Sequence, residues 1–204
     1  GARGCCVPGR VESGALCAGC GAGVRVEAGV AAPARGGLDG RNTGLWQVGL
    51  MQDGFAATVR AAIERHGADR IGVFLGTSTA GILQTELAYR ERDPATGALP
   101  AGFNYAGTHN SFAVAEYVRR SLQLQGPAAV LCTACSSSAK AFASAQRMIS
   151  ADVIDAAVVG GVDSLCLTTL YGFHSLQLTS PVACRPFDVE RDGTPFFPGR
   201  VDHA

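Results

Sequence analysis

Ala128-Ala129-Val130-Leu131-Cys132 runs without a charged or hydrogen-bonding hydroxyl side chain into Thr133-Ala134-Cys135-Ser136-Ser137-Ser138, and from Ala139 to Ala151 the chain carries neither glycine nor proline. A short apolar run, a corner of small residues and a long Ala-rich segment read as strand, tight turn and helix. That order places Cys135 at the first turn of the helix, where unpaired backbone N–H groups and the positive end of the macrodipole stabilise a thiolate. Serines disfavour a helix interior but suit its start, so Ser136, Ser137 and Ser138 are expected to bond free N–H groups there. A solitary cysteine is ordinarily a small buried hydrophobe. The corner and the stretches around it favour a nucleophile instead.

Working outward, Asp155-Ala156-Ala157-Val158-Val159-Gly160-Gly161 reads as another buried strand. Its two glycines would let backbone approach backbone beneath the helix of Cys135. Upstream, Arg70 to Thr77 reads as a third buried strand, ending in Gly76-Thr77-Ser78-Thr79-Ala80-Gly81. That turn lacks the lysine and spacing of a phosphate-binding loop and reads as a close-packed corner. Between the strands lie helical patterns. Phe55 to Arg65 places Phe55, Val59, Ala62 and Ile63 on one face and stops at His66-Gly67, with His66 expected to face solvent and complement the dipole. Ile82 to Arg92 is closed by Asp93-Pro94. Asn110 to Leu124 turns Phe112, Ala115, Val118 and Leu122 inward, with His109 as a cap-region residue ahead of it. Leu165 to Leu178 is mixed in period, and its His174 is read as a partly buried, satisfied side chain. Strands and helices alternating at these lengths predict an α/β fold built from βαβ units, with a mainly parallel sheet and helices on both faces.

Bulk properties narrow the function classes. With 204 residues and 47% hydrophobic content the chain can bury one sizeable core. Lysine plus arginine and aspartate plus glutamate both number 17, so no net field draws in nucleic acid or an anionic membrane. No run reaches the roughly 20 apolar residues of a membrane span, and the expected location is the cytoplasm. Of eight cysteines, Cys5, Cys6, Cys17 and Cys20 crowd the start, and Cys132, Cys135, Cys166 and Cys184 are scattered through the apolar body. The Cys17-Ala18-Gly19-Cys20 spacing matches part of a tetrahedral zinc site, but one such pair without a framework is a weak signal. The expectation is no metal and no cofactor.

Thr133 to Ser138 resembles the nucleophile motif of the β-ketoacyl-acyl-carrier-protein synthases, condensing enzymes of the thiolase-like superfamily. Two more stretches follow in the order that family would have them: Val158-Val159-Gly160-Gly161-Val162-Asp163-Ser164, and Cys184-Arg185-Pro186-Phe187-Asp188 followed by Arg191-Asp192-Gly193. The resemblance runs from about Leu50 to Gly193 and implies an incomplete thiolase-like half with Cys135 as its catalytic residue. It also implies acyl carrier protein with acyl and malonyl thioesters as partners, and a homo- or heterodimer. In the family the stretch after His109 helps shape the acyl pocket. The family's second oxyanion donor, its two histidines and its lysine belong to the second half of the fold, which this sequence does not include. The expected function is therefore a fragment of a 3-oxoacyl-acyl-carrier-protein synthase of fatty-acid or polyketide type, inactive in condensation alone. Two alternatives are a nonenzymatic partner subunit of a full synthase, which in this family usually lacks the cysteine, and a small zinc-binding module. Thiolases and chalcone-type synthases share fold and nucleophile, but the three serines and Arg185-Pro186-Phe187-Asp188 favour the carrier-dependent group.

Both ends depart from that pattern. Residues 1–44 hold no apolar strand running into a glycine turn, although Val24-Arg25-Val26-Glu27 alternates briefly. Residues 194–204 carry Pro195 and Pro198 where the family continues with a glycine-rich turn and a strand. The domain reading is thus an atypical, poorly ordered segment over 1–44, a partial synthase domain over 45–193 and an atypical tail over 194–204. The Ala, Gly, Arg, Pro and Cys bias of the ends fits GC-rich DNA translated in a shifted frame, and predicts ends without protected amides in hydrogen exchange.

Overall fold

The computed structural model describes residues 15–17, 38, 41–51, 54–181, 185 and 187–193. The chain divides into a unit ending at Ser164 and a second unit from Leu165 onward, each described by itself.

The first unit is built on a four-stranded parallel sheet: β1 (Ala15–Cys17), β2 (Ile71–Gly76), β3 (Ala128–Leu131) and β4 (Ala156–Gly161), in the spatial order β1-β4-β2-β3. The register of β2 and β4 runs from Ile71 opposite Ala156 to Gly76 opposite Gly161, so the two strands end together. Every residue of β2 is buried, as an interior parallel strand covered on both faces requires. Alternation along the pleat then sorts the core into two layers. Ile71, Val73, Leu75, Ala156 and Val158 pack with side chains of α1 (Arg41–Leu50), α2 (Phe55–His66) and α4 (Ala113–Ser121), among them Trp46, Val59 and Val118. Phe74, Ala157 and Val159 pack on the opposite face with Ala141 and Ala145 of α5 (Ser137–Ser150). Helices on both faces of a parallel sheet are what the sequence pattern predicts. A further helix, α3 (Ile82–Arg90), follows β2.

Several details differ from expectation. The apolar run that becomes β3 lies at the edge of the described sheet, and its residues are only half-buried, because it has a single strand neighbour. Strand β1 and the first turn of α1 fall within 1–44, where no regular element was expected; β1 is held by pairing with Ala157 to Val159 of β4, a contact distant in sequence. Val24 to Glu27, Cys5, Cys6, Cys20 and residues 194–204 lie outside the described residues. Helix α4 starts later than its pattern suggests. A single π-type turn, Tyr105–His109, precedes it, and the Asn110 side chain accepts from the Phe112 N–H. Phe112 consequently precedes the helix and is exposed, while Ala113, Val114 and Tyr117 join Ala115, Val118 and Leu122 inside. His66 is half-buried rather than solvent-facing, with Nδ1 3.9 Å from Asp155 Oδ2. Among the described residues no helix is long and apolar enough to cross a membrane.

In the second unit, α6 (Leu167–Ser175) carries His174, which is exposed instead of partly buried, with Nδ1 3.4 Å from Thr179 Oγ1. A helix with no strong apolar period leaves its face assignment to tertiary packing.

Arg70 ties the start of β2 to the loop between α5 and β4. Its Nε donates to Asp155 Oδ2 at 2.8 Å, Nη2 to Asp155 Oδ1 at 3.0 Å and to Asp152 Oδ1 at 2.9 Å, and Nη1 to the carbonyls of Asp152 and Val153. The hydrogen bond from Arg70 holds the Asp155 carboxyl below its ordinary range. A depressed folded-state value stabilises the fold above the unfolded carboxylate pKa of about 3.9, and that contribution is lost as pH falls through the lower folded value. Asp155→Asn should therefore lower the melting temperature at neutral pH, with the gap from the parent closing below about pH 4. A gap independent of pH in melts across that range would contradict the ion pair.

Candidate active site

The strand β3 delivers the chain to the corner. Leu131 lies opposite Gly76 and accepts a bond from the Thr77 N–H at 3.2 Å, and the Cys132 thiol donates to the Thr77 carbonyl at 2.6 Å. The backbone then bends sharply: Thr133 has φ −127° and ψ 40°, and Ala134 has φ +53°. A left-handed conformation costs a non-glycine residue on the order of 1–2 kcal/mol. Ser137 offsets it. Its buried Oγ accepts from the Thr133 N–H at 2.9 Å and donates to the Ala134 carbonyl at 2.6 Å, so one hydroxyl satisfies a donor and an acceptor of the bend. Ser136 Oγ donates to the Thr133 carbonyl at 2.9 Å. Cys135 occupies the middle of the resulting 3₁₀ turn, Ala134–Ser136, immediately before α5, and is exposed.

Cys135 thus stands where the sequence places it, at the entry to the helix, but the serines act otherwise than expected. No side chain caps the first turn of α5. The positive φ at Ala134 brings the Thr133 and Ala134 carbonyls within reach of Ser136 and Ser137, whose hydroxyls bond back to the bend. Ser138 serves packing. A Cβ on Gly76 would lie 2.5 Å from the Ser138 nitrogen, and one on Gly161 would overlap Ser138 Oγ. The glycine pair of β4 therefore divides its work. Gly161 lies under α5, whereas Gly160 faces the other layer, where a Cβ would sit 2.8 Å from the Trp46 ring.

The corner after β2 is close-packed as read: Gly81, at φ +75°, leaves room only for the Thr108 and His109 backbone. It also cradles an anion, one supplied by the chain itself. Asp163 Oδ1 accepts from the Ser78 N–H at 2.7 Å, the Thr79 N–H at 3.1 Å, and the hydroxyls of Thr77 at 2.9 Å and Thr79 at 3.0 Å. Thr79 Oγ1 in turn accepts from the Ser164 N–H at 2.8 Å, and Asn42 donates to Thr77 Oγ1 and to the Val162 carbonyl. The ends of β2 and β4 are knotted together beside the cysteine turn, and Ser78 Oγ lies 3.4 Å from Ser137 Oγ. Asp163 received no role from sequence. Its signal was a carboxylate directly after a buried strand's paired glycines, complementary to the Thr77-Ser78-Thr79 donors ending another strand.

His109 is engaged away from Cys135, with Nδ1 2.7 Å from Thr85 Oγ1 and its ring stacked on Phe103 at 4.0 Å between centroids. A cavity of about 330 Å³ is lined by residues including Asn104, Phe112, Glu116 and Arg120. Burial opposes ionisation of Glu116, but hydrogen bonds from Arg120 and Arg119 outweigh it and hold the carboxyl below its ordinary range. No group of histidine, cysteine and acidic side chains among the described residues is arranged to hold a metal ion. Cys17 belongs to β1 by its backbone. In the second unit, Arg185 donates to Glu190 Oε2 and to the Glu190 carbonyl, Asp188 Oδ1 accepts from the Glu190 N–H, and Asp192 accepts from Ser180 Oγ. Cys184 and Pro186 of that motif lie outside the described residues.

An exposed cysteine at the entry to a helix, beside glycines that seat that helix on a parallel sheet, narrows the family. The family model described as "Beta-ketoacyl synthase, N-terminal domain" matches residues 46–196. The chain belongs to the β-ketoacyl synthase family. Its match to that N-terminal domain places the resemblance read from the three motifs on nearly the same residues. Among relatives, the chain is 34% identical over 152 residues to a phenolphthiocerol/phthiocerol polyketide synthase component of Mycobacterium tuberculosis, covering 68% of this chain and 10% of that protein. It is 34% identical over 125 residues to nodulation protein E of Rhizobium meliloti, covering 61% and 31%. Among solved structures, the ketosynthase ApeO in complex with its chain length factor ApeC, from Xenorhabdus doucetiae, is 36% identical with a TM-score of 0.62, over 76% of this chain and 39% of that one. The chain spans less than two fifths of the length of each of these relatives.

Substituting Gly76→Ala should force α5 off the sheet and destabilise the fold by roughly 1–3 kcal/mol, read as a lower urea midpoint. Asp163→Ala should destabilise more than Asp163→Asn, which keeps one acceptor for the Ser78 and Thr79 N–H groups. Equal losses from the two Asp163 variants would contradict the carboxyl oxygen's role as shared acceptor.

Proposed function

We propose that this chain carries the acyl-accepting part of a 3-oxoacyl-acyl-carrier-protein synthase acting in fatty-acid or polyketide-type assembly in the cytoplasm. Its substrates are acyl and malonyl thioesters presented by acyl carrier protein. The observation that carries the reading is the exposed Cys135, set on a turn that Ser137 holds by two hydrogen bonds, within a matched ketosynthase domain. The Cys135 sulfur attacks the carbonyl of the carrier thioester, a new C–S bond forms, and the carrier thiolate leaves. A thiol suits both halves of the cycle, because it is a strong nucleophile and later a good leaving group. The Cys135 backbone N–H, in the turn that opens α5, is the group offered to the tetrahedral oxyanion. Asp163 and Ser137 are positioning residues, fixing the strand ends and the turn that present the sulfur.

The same family resemblance assigns decarboxylation of malonyl thioester to the two histidines and the lysine of the second half, and an additional oxyanion donor with them. Absence of one such donor typically lowers rate by roughly 100- to 1000-fold. The chain alone is therefore assigned acyl transfer without condensation, and dimerisation belongs to the intact assembly. Cys135 argues against the nonenzymatic partner subunit.

The test is intact-mass analysis of the chain after exposure to an acyl-carrier thioester, alone and with malonyl carrier. One acyl group should appear on Cys135, Cys135→Ala should abolish it, and no 3-ketoacyl product should form. Acylation undiminished in Cys135→Ala would refute the nucleophile, and 3-ketoacyl product dependent on Cys135 would refute the assignment of condensation to the second half.

A further inference from the structure

The active-site turn holds a second thiol. Cys132-Thr133-Ala134-Cys135 is a Cys-x-x-Cys sequence between a parallel strand and a helix, and both cysteines are free and exposed. The two residues between them do not extend: Thr133 at ψ 40° and Ala134 at φ +53° bend the chain, and Ser137 holds that bend from both sides. Cys132 sits just beyond β3, with its thiol donating to the Thr77 carbonyl at 2.6 Å. By contrast Cys166, with Sγ 3.0 Å from Thr169 Oγ1, is buried in the second unit. A nucleophilic cysteine with a nearby accessible thiol is the arrangement in which oxidation stops at a reversible disulfide, because the second thiol intercepts the first oxidation product.

We propose that Cys132 is the resolving thiol for Cys135, making the active-site turn a site of reversible oxidation by hydroperoxides. The inference rests on the reading of Cys135 as the reactive thiol. The Cys135 thiolate attacks one oxygen of the peroxide; the O–O bond breaks, hydroxide (or alkoxide) departs, and the sulfur becomes a sulfenic acid. The Cys132 sulfur then attacks the Cys135 sulfur; the S–S bond forms, the S–O bond breaks, and the departing hydroxide takes the Cys132 proton as water. With hydrogen peroxide, the sum is two thiols and one peroxide giving one disulfide and two waters. The disulfide blocks acylation, and a dithiol reductant restores both thiols by exchange.

Trypsin cleavage after Arg120 and Lys140 isolates residues 121–140, which contain Cys132 and Cys135 and no other cysteine. The full chain is treated with hydrogen peroxide, alkylated with N-ethylmaleimide, digested and weighed, with a parallel sample reduced by dithiothreitol before alkylation. The expected product is this peptide lighter by two hydrogens and unalkylated, returning to the doubly alkylated form after reduction. In Cys132→Ser the peptide should instead gain oxygen on Cys135 and be trapped as the sulfenic adduct by dimedone. Cys132→Ala, checked for native circular dichroism, should repeat that result. Oxygen addition at Cys135 in the parent without the internal disulfide would overturn the resolving role while leaving Cys135 a nucleophile. A Cys135 that neither peroxide nor dimedone modifies in any variant would overturn the inference, and the acylation assay separately decides the nucleophile.

Discussion

Helix α5 reaches the sheet because two glycines have no side chains. Gly76 and Gly161 lie opposite each other at the ends of β2 and β4, and each admits part of Ser137 or Ser138 into space a Cβ would fill. That contact sets the height of the helix above the sheet. The height in turn determines whether the Ser137 hydroxyl reaches Thr133 and Ala134, and so whether Ala134 can be held at a positive φ. Raising the helix by the width of a methyl group would release the serine from the bend and leave an unsupported left-handed alanine. The turn that carries Cys135 thus depends on how closely the start of α5 packs on the sheet.

A second constraint works at the same level. Asp163 spends one carboxylate oxygen on four donors from the Thr77-Ser78-Thr79 turn, and Asn42 of α1 joins the knot from the opposite face. Beyond Gly76 and Gly161 the ends of β2 and β4 share a backbone bond from the Val162 N–H to the Gly76 carbonyl. A carboxylate that gathers backbone and hydroxyl donors adds charge-assisted bonds to it. At the other end of the same strands, Arg70 does the corresponding work with Asp152 and Asp155. The site is therefore mounted on strands pinned at both ends.

Much of this is legible in the sequence. The helix from Phe55, the buried strands at 71–76 and 156–161, and the strand-turn-helix around Cys135 follow from periodicity and residue size, since local pattern and final packing agree there. Disagreement came where an environment distant in sequence decides. Strand β1 exists by pairing with β4; Phe112 was turned outward by a cap at Asn110; His66 was drawn toward Asp155, nearly ninety positions along the chain; and the serines found acceptors upstream that only the bend at Ala134 brings within reach.

The chain by itself determined that a parallel α/β layer would form and that Cys135 would stand at a strand-to-helix corner, because apolar runs, small residues and helix formers act over neighbouring positions. Tertiary structure alone decided strand order, the edge position of β3, the division of Gly160 and Gly161 between opposite layers, and the capture of Asp163 by the turn after β2. Each of those depends on which surfaces meet across the sheet, and a hydrogen bond or a methyl-sized gap between residues far apart in sequence leaves no periodic trace in either segment.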